Sequence, residues 1–279
     1  MPTETPATDP RLARLEGLIQ GYGPTLTAFS GGVDSTLVAV ASQRVWGDRA
    51  LAVTGLSASL AAAEREHAES LARDLGLRHR SVDTHEMLRP GYRANLGDRC
   101  YHCKTELFER LVREAATESM AAVASGDNLD DVRPGAHRPG MRAAEENGVR
   151  KPLIDAELRK QDVRELASLL GLPNDQKPAS PCLASRVPHG VSVSPEILGM
   201  IDRAESGVRA LGFKILRVRH HGEVARVELP AKDLPQAVER RSAIVAAVKK
   251  AGYLWVTLDL AGFRSGSLNV VLDDGKLAR

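Results

Sequence analysis

The sequence predicts a doubly wound α/β domain with a mainly parallel sheet, followed by a smaller α+β domain. Three observations predict it. Short β-prone runs alternate with helical segments from Thr25 to Leu170, a Ser-Gly-Gly turn joins the first run to its helix, and a β-β-α-β order follows a proline-rich break. Strands separated by helices pair in parallel through right-handed crossovers. A chain of 279 residues suits two domains at roughly 150 residues each. Hydrophobic residues at 43% and charged residues at 27% exclude a disordered chain.

The elements follow in order. Met1 to Pro10 is polar and rich in Pro and Thr, lacks the order of a signal peptide and reads as a frayed tail. The reading makes 1–20 a tail and lead-in helix, 21–176 the α/β domain, 177–193 a cysteine-bearing linker and 194–279 the second domain. Thr25 to Phe29 is a strand, and Asp34-Ser35-Thr36 offers the cap of the next helix. Arg49 to Thr54 and His79 to Val82 are strands flanking a helix over Ala61 to Leu75, which Gly76 closes. Cys103 to Ser119 is a helix whose stripe is Leu107, Phe108, Leu111 and Val112, and Met120 to Ala124 is an apolar run. Arg159 to Leu170 is a helix, and three prolines between Lys177 and Pro188 exclude regular structure after it. Pro195 to Leu211 is a helix, Leu216 to His220 and Ala225 to Leu229 a hairpin, Asp233 to Ala251 one helix and Tyr253 to Leu260 a strand.

Charge and cysteine content narrow the setting. Lys+Arg 38 against Asp+Glu 36 leaves +2, so long duplex nucleic acid is a poor default partner. No apolar run approaches the roughly 18 residues of a membrane span. Three cysteines are an odd count, which excludes a disulfide scaffold and points to a reducing, cytoplasmic setting.

Ser30-Gly31-Gly32-Val33-Asp34-Ser35-Thr36 joins strand to helix. Glycines let N–H groups face an anion, the helix N-terminus adds positive potential, and the hydroxyls of Ser30, Ser35 and Thr36 add donors. No lysine follows the glycines, so the Walker A motif does not fit. Ser125-Gly126-Asp127-Asn128-Leu129-Asp130-Asp131 ends a strand on the same rim, where its carboxylates suit Mg²⁺ on phosphate oxygens. Arg133 and Arg138 follow as candidates for phosphate or carboxylate.

Cys100 and Cys103 stand at i, i+3, with Lys104 on the same helical face. A helix start beside a lysine favours thiolates. With Cys182 the pair can hold three irons of a [4Fe–4S] cluster and leave the fourth open. Cys182 can instead be a nucleophile, His102 or His189 can complete a zinc site, or the thiols can be inert.

The glycine turn resembles the PP-loop, Ser-Gly-Gly-x-Asp-Ser, of ATP pyrophosphatases. Taken with Arg99-Cys100-Tyr101-His102-Cys103-Lys104, Ser125-Gly126-Asp127-Asn128 and Cys182-Leu183-Ala184-Ser185-Arg186, the chain resembles the LarE family of ATP-dependent sulfur transferases. The resemblance implies a PP-loop ATP pyrophosphatase fold and, as substrate, pyridinium-3,5-biscarboxylic acid mononucleotide. ATP with Mg²⁺ adenylates a ring carboxylate, and sulfur then displaces AMP to give a thiocarboxylate for nickel-pincer nucleotide biosynthesis. It implies ATP binding by Ser30, Gly31, Gly32, Asp34, Ser35, Thr36, Gly126, Asn128 and Asp131, with Asp34 and Lys104 catalytic. Cys182 becomes the sulfur-bearing residue. Three cysteines mark the cluster type, with Cys100, Cys103 and Cys182 as its ligands. Arg186 binds a phosphate or carboxylate, Arg219 or Arg217 the substrate phosphate, and the chain forms a homo-oligomer, a hexamer in the family. An external sulfur donor stands as a further partner. His220 and His221 are adjacent on a strand and point to opposite faces, so they do not share one ion.

Three other readings compete: a PP-loop tRNA sulfurtransferase, an ammonia-using amidotransferase in which Cys182 has no role, and a non-catalytic metal or cluster carrier. The near-neutral charge argues against the first, and the intact glycine turn against the last.

Overall fold

In the computed structural model, residues 9–132 and 139–264 are described. Arg133 and Arg138 lie outside them. The elements run α1 (Pro10–Tyr22), β1 (Thr25–Ala28), α2 (Val33–Trp46), β2 (Leu51–Leu56), α3 (Ala62–Asp74), β3 (His79–Asp83), α4 (Pro90–Ala94) and α5 (Arg99–Thr117). They continue through β4 (Ala122–Ala124), α6 (Pro139–Glu146), α7 (Pro152–Asp155), α8 (Lys160–Leu169), α9 (Pro195–Ala210), β5 (Arg217–His221), β6 (Val224–Glu228), α10 (Leu234–Glu239), α11 (Arg241–Lys250) and β7 (Trp255–Leu258). The chain divides into two units. One comprises Met1–Ser57, Ala63–Glu86 and Cys100–Ser180; the other comprises Ala58–Ala62, Met87–Arg99 and Pro181–Arg279.

The larger unit holds a four-stranded parallel sheet in the order β3-β2-β1-β4. Leu26 of β1 pairs with Leu51 on one side and Val123 on the other. Strands of a parallel sheet are covered on both faces, and Thr25, Leu26 and Thr27 are all buried. Alternation along the strands separates two layers. Leu26, Leu51, Val53 and Val123 pack with Phe108 and Leu111 of α5 and Ala143 and Ala144 of α6. On the other face, Ala124 joins Leu15 and Ile19 of α1, Leu37, Val38 and Ala41 of α2, and Val163 and Leu166 of α8. Helices on both faces make this the doubly wound sheet that the sequence predicts. The expected stripe of α5 is narrower at one edge: Phe108 and Leu111 are buried, while Val112 is exposed because it sits on the flank of the stripe.

The smaller unit holds a mixed three-stranded sheet in the order β5-β6-β7. β5 and β6 form the antiparallel hairpin, with Val218 opposite Val227, and β7 joins β6 in parallel. Ala204 and Val208 of α9 and Ile244 and Val248 of α11 cover Val218, Ala225 and Val227. The single helix expected over Asp233 to Ala251 is broken at Arg240 into α10 and α11. No Gly or Pro marks that break. The Arg240 guanidinium donates to the carbonyl of Leu211, so a tertiary tie holds the corner where local propensity favours continuation.

Candidate functional site

β1 is the strand at which the order of the larger sheet reverses, with β2 on one side and β4 on the other. Ligands in such sheets bind outside the carboxyl ends of the strands at this point. Both motif loops arrive there. After β1, Gly31 takes φ +69, a left-handed conformation suited to glycine, and a side chain there would press on Ala68 and His67. Its carbonyl lies 3.2 Å from the ring Nε2 of His67. Ser30 N–H donates to Ser35 Oγ at 3.2 Å, Gly32 N–H to Ser30 Oγ at 3.3 Å, and Ser35 Oγ to the Gly32 carbonyl at 3.0 Å. The serine hydroxyls thus hold the bend shut on itself.

Two expectations about this bend change. The cap of α2 is Gly32 rather than one of Asp34, Ser35 and Thr36. Those three are inside the first turn, where Asp34 complements the helix dipole. Thr36 is fully buried, and its hydroxyl donates to the Gly32 carbonyl and accepts from Asn174 Nδ2. It braces the bend from behind instead of facing an anion.

The loop after β4 closes on the same turn. A Cβ on Gly126 would stand 2.7 Å from the backbone nitrogen of Ser35, so only glycine permits this approach. Asn128 Nδ2 donates to Asp34 Oδ1 at 3.1 Å. Asp131 is turned into its own loop, where its carboxylate accepts from Asn128 N–H at 3.1 Å. Asp127 accepts from Ser125 Oγ at 2.6 Å. Asp130 accepts from Arg159 and from the backbone of Lys160.

Sequence reading missed two residues here. Lys160 opens α8 and sets its ammonium 2.5 Å from Asp34 Oδ2. Asn174 is buried, donates to the Gly31 carbonyl at 3.1 Å and to Thr36 Oγ1 at 2.9 Å, and keeps its own Oδ1 buried without a hydrogen-bond partner. Each lies far along the chain from the bend, and no local pattern marks either.

Cys100 and Cys103 occupy the first turn of α5, Cys100 exposed and Cys103 half-buried. Lys104 lays its stem against Gly140 of α6 and its ammonium 5.3 Å from the ring centre of Phe108. In neither unit do three His, Cys, Asp or Glu side chains among the described residues gather as a metal-ready group.

In the smaller unit Cys182 caps a short 3-10 turn over Leu183–Arg186. Leu183 N–H donates to the Ser59 carbonyl at 2.8 Å. Asn95, buried and left-handed at φ +55, holds the far end of this loop through the carbonyls of Pro188 and Val191. The Arg186 side chain, expected to meet a ligand, is buried in a two-point pair with Glu205 and also donates to the carbonyls of Pro181 and Cys182. Its fork is used to fold the cysteine loop. Arg219 is likewise committed, to Glu228 and to the Ser185 carbonyl. Arg217 differs. It donates to its neighbour's carbonyl at Leu216 and lies over the Phe263 ring. Burial first, then the nearby Arg186 cation, bring its guanidinium down to about 10 against the pull of Glu205. A cation so desolvated favours a bound anion. His220 is buried and His221 exposed, as opposite faces of a strand require.

No family model matches the chain. It is 44% identical over 265 residues to an uncharacterized protein of Synechocystis, covering 93% of this chain and 98% of the relative. An uncharacterized protein of Methanocaldococcus jannaschii is 27% identical over 240 residues, 86% of this chain and 90% of its own. Pyridinium-3,5-bisthiocarboxylic acid mononucleotide synthase of Lactiplantibacillus plantarum is 36% identical over 267 residues, 95% of this chain and 96% of the relative. The chain belongs to the LarE family. The matched stretch covers 95% of this LarE-family chain and so extends over both units. No helix among its described residues is long and apolar enough to cross a membrane.

Proposed function

We propose that this chain is an ATP-dependent sulfur transferase that converts the carboxylates of pyridinium-3,5-biscarboxylic acid mononucleotide to thiocarboxylates. The observation that carries the reading is Asp34, held by Asn128 in the first turn of α2 where the β1 and β4 loops meet. Family membership supplies the substrate class, through the synthase of Lactiplantibacillus plantarum.

A carboxylate resists nucleophiles because its leaving group would be oxide. Attack by its oxygen on the α-phosphorus of ATP expels pyrophosphate and leaves an acyl-adenylate. A sulfur nucleophile then adds to the acyl carbon, AMP departs, and the thiocarboxylate remains. For this chemistry the bend of Ser30, Gly31, Gly32 and Ser35 would exchange the bonds its N–H groups and hydroxyls make to one another for bonds to the phosphates. Asp34 would meet Mg²⁺ on phosphate oxygens, with Asn128 on its Oδ1 and Asp131 bracing the backbone of Asn128 behind it. Lys104 supplies positive charge on the α5 face that carries the two cysteines. Arg217 receives the substrate phosphate in preference to Arg219, whose fork is already taken by Glu228.

Three thiols on a helix turn and a capped loop are donors of the right class for iron. Cys100, Cys103 and Cys182 would hold a [4Fe–4S] cluster, which supplies an open iron able to carry sulfide. Arg186 holds the backbone carbonyl of Cys182, and so fixes the root of the third ligand.

Turnover on the dicarboxylate nucleotide tests the proposal. AMP and pyrophosphate should appear only with that substrate, and mass spectrometry of the product should show oxygen replaced by sulfur. ATP cleavage indifferent to carboxylates would overturn it. Anaerobic iron and sulfide analysis of the wild type and of Cys100→Ser, Cys103→Ser and Cys182→Ser decides the sulfur source. Colourless active protein with Cys182 converted to dehydroalanine would remove the cluster from the reading.

A further inference from the structure

Between the short turn that Cys182 caps and the start of α9 at Pro195, the chain has no regular structure, so its backbone groups need partners from elsewhere. One residue supplies several. The Asn95 carbonyl accepts from Gly190 N–H at 2.9 Å, and Asn95 Nδ2 donates to the carbonyls of Pro188 at 2.8 Å and Val191 at 3.0 Å. Its Oδ1 accepts from Arg99 Nη1 at 2.5 Å. Arg99 is buried and opens α5, one residue before Cys100. Asn95 itself is buried and left-handed at φ +55. Few residue types fit these demands. Glycine takes the backbone but has no side chain, and aspartate lacks the two donors. Asparagine tolerates the left-handed conformation and offers donors and acceptor together.

We propose that Asn95 is a positioning residue for the sulfur step: it clasps the Cys182 loop to the residue that opens the cysteine helix, and so keeps Cys182 presented for transfer. This rests on the sulfur-transfer reading above, and it holds for Cys182 as iron ligand or as sulfur bearer. Arg186 and Arg219 grip the near end of the loop through the carbonyls of Cys182 and Ser185, and Leu183 N–H rests on the Ser59 carbonyl. Asn95 grips the far end, where one side chain serves the loop and Arg99 together. A non-glycine residue in this backbone region persists where its surroundings over-determine it, and here the bonds to loop and helix start do so. Adenylation does not need the clasp. An acyl-adenylate is consumed either by sulfur, which gives the thiocarboxylate and AMP, or by water, which returns the carboxylate and AMP. A cysteine loop that wanders leaves the intermediate to water.

Asn95→Asp in the full chain tests this. The carboxylate keeps the size of the side chain and its bond to Arg99, but has no donor for the Pro188 and Val191 carbonyls. Iodoacetamide labelling of the iron-free chain, read by mass spectrometry, should be about tenfold faster at Cys182, the effect of losing buried hydrogen bonds on local opening. Labelling at Cys100 should match wild type. With ATP and the dicarboxylate nucleotide, the KM for ATP and the rate of AMP release should stay near wild type, while the AMP formed per thiocarboxylate rises severalfold. Native coupling of AMP to thiocarboxylate, or unchanged labelling of Cys182, would overturn the proposal. AMP release and sulfur transfer that fall together would make Asn95 a structural residue only, and would overturn it too. Wild type that releases no AMP with this nucleotide would overturn the sulfur-transfer reading, and this proposal with it, whatever the labelling rates. Should Asn95→Asp fail to fold, Asn95→Gly keeps the left-handed backbone, drops every side-chain bond and is read in the same way. Hydrogen exchange of the wild type must also show the Gly190 amide protected, and fast exchange there refutes the clasp.

Discussion

Arg186 and Glu205 meet fork to fork in the smaller unit, Nε to Oε1 at 2.9 Å and Nη2 to Oε2 at 3.0 Å, with both side chains almost fully buried. Oε1 also accepts from the backbone of Val218, so the pair joins the Cys182 loop, α9 and β5. Removing one partner leaves the other charge buried, which in comparable pairs costs about 3–5 kcal/mol. Arg186→Ala should therefore lower the stability of the smaller unit by roughly that amount in urea melts. Arg209, 3.7 Å from Glu205, offsets part of it. A variant as stable as wild type that still fails to transfer sulfur would return Arg186 to ligand binding.

Gly126 predicts the tolerance of the nucleotide loops. With Ser35 N only 2.7 Å from a Cβ placed there, Gly126→Ala must push the β4 loop off α2 and disturb the Asn128–Asp34 contact. Pyrophosphate release should fall about tenfold or more, as small misplacements of catalytic groups do. Gly17→Ala is the control: it is exposed in α1 with nothing within 4 Å, and should leave activity intact while stabilising the helix by up to about 1 kcal/mol.

Local chemistry explains what could be read in advance. β1, the Ser30–Ser35 bend and α2 were legible because glycine placement and strand-to-helix periodicity act within a dozen residues. The hairpin of β5 and β6 was legible for the same reason, with Gly222 at positive φ in its turn. Lys160 was not, since it reaches Asp34 across 126 residues and only the packing of α8 on α2 sets their meeting. Asn174, 138 residues from Thr36, was hidden likewise. Arg186 shows the limit of a motif, which tells which residue is present and not whether Glu205 already occupies its fork.

Asn174 carries a third prediction. Its amide joins the Gly31 carbonyl to the Thr36 hydroxyl behind the bend. Asn174→Asp would set a carboxylate against that carbonyl, and Asn174→Ala would leave buried acceptors unpaired at about 1–3 kcal/mol. Alanine should raise the KM for ATP more than it changes kcat, because the bend is loosened rather than stripped of reacting groups. Steady-state kinetics with a parallel thermal melt separates that outcome from general unfolding.

The last prediction concerns pH. His220 is buried in β5, its Nδ1 3.2 Å from the hydroxyl of Tyr253. Burial, and next the neighbouring His221, hold its imidazole below the ordinary value of 6.5. The unfolded chain therefore binds more protons at this site than the folded one as pH falls below 6.5, and stability falls with it. It is fully present above that value and is lost downward toward the folded pKa. Each unit contains one tryptophan, Trp46 in the larger and Trp255 in the smaller. Urea melts of Trp46→Phe followed by fluorescence thus report on the smaller unit. Its midpoint should decline between pH 7 and pH 5, and His220→Gln should flatten that slope without abolishing it, because partial desolvation of the otherwise exposed His221, and next Arg226, shift that imidazole in the same direction. An unchanged slope in His220→Gln would assign the acid sensitivity to other groups.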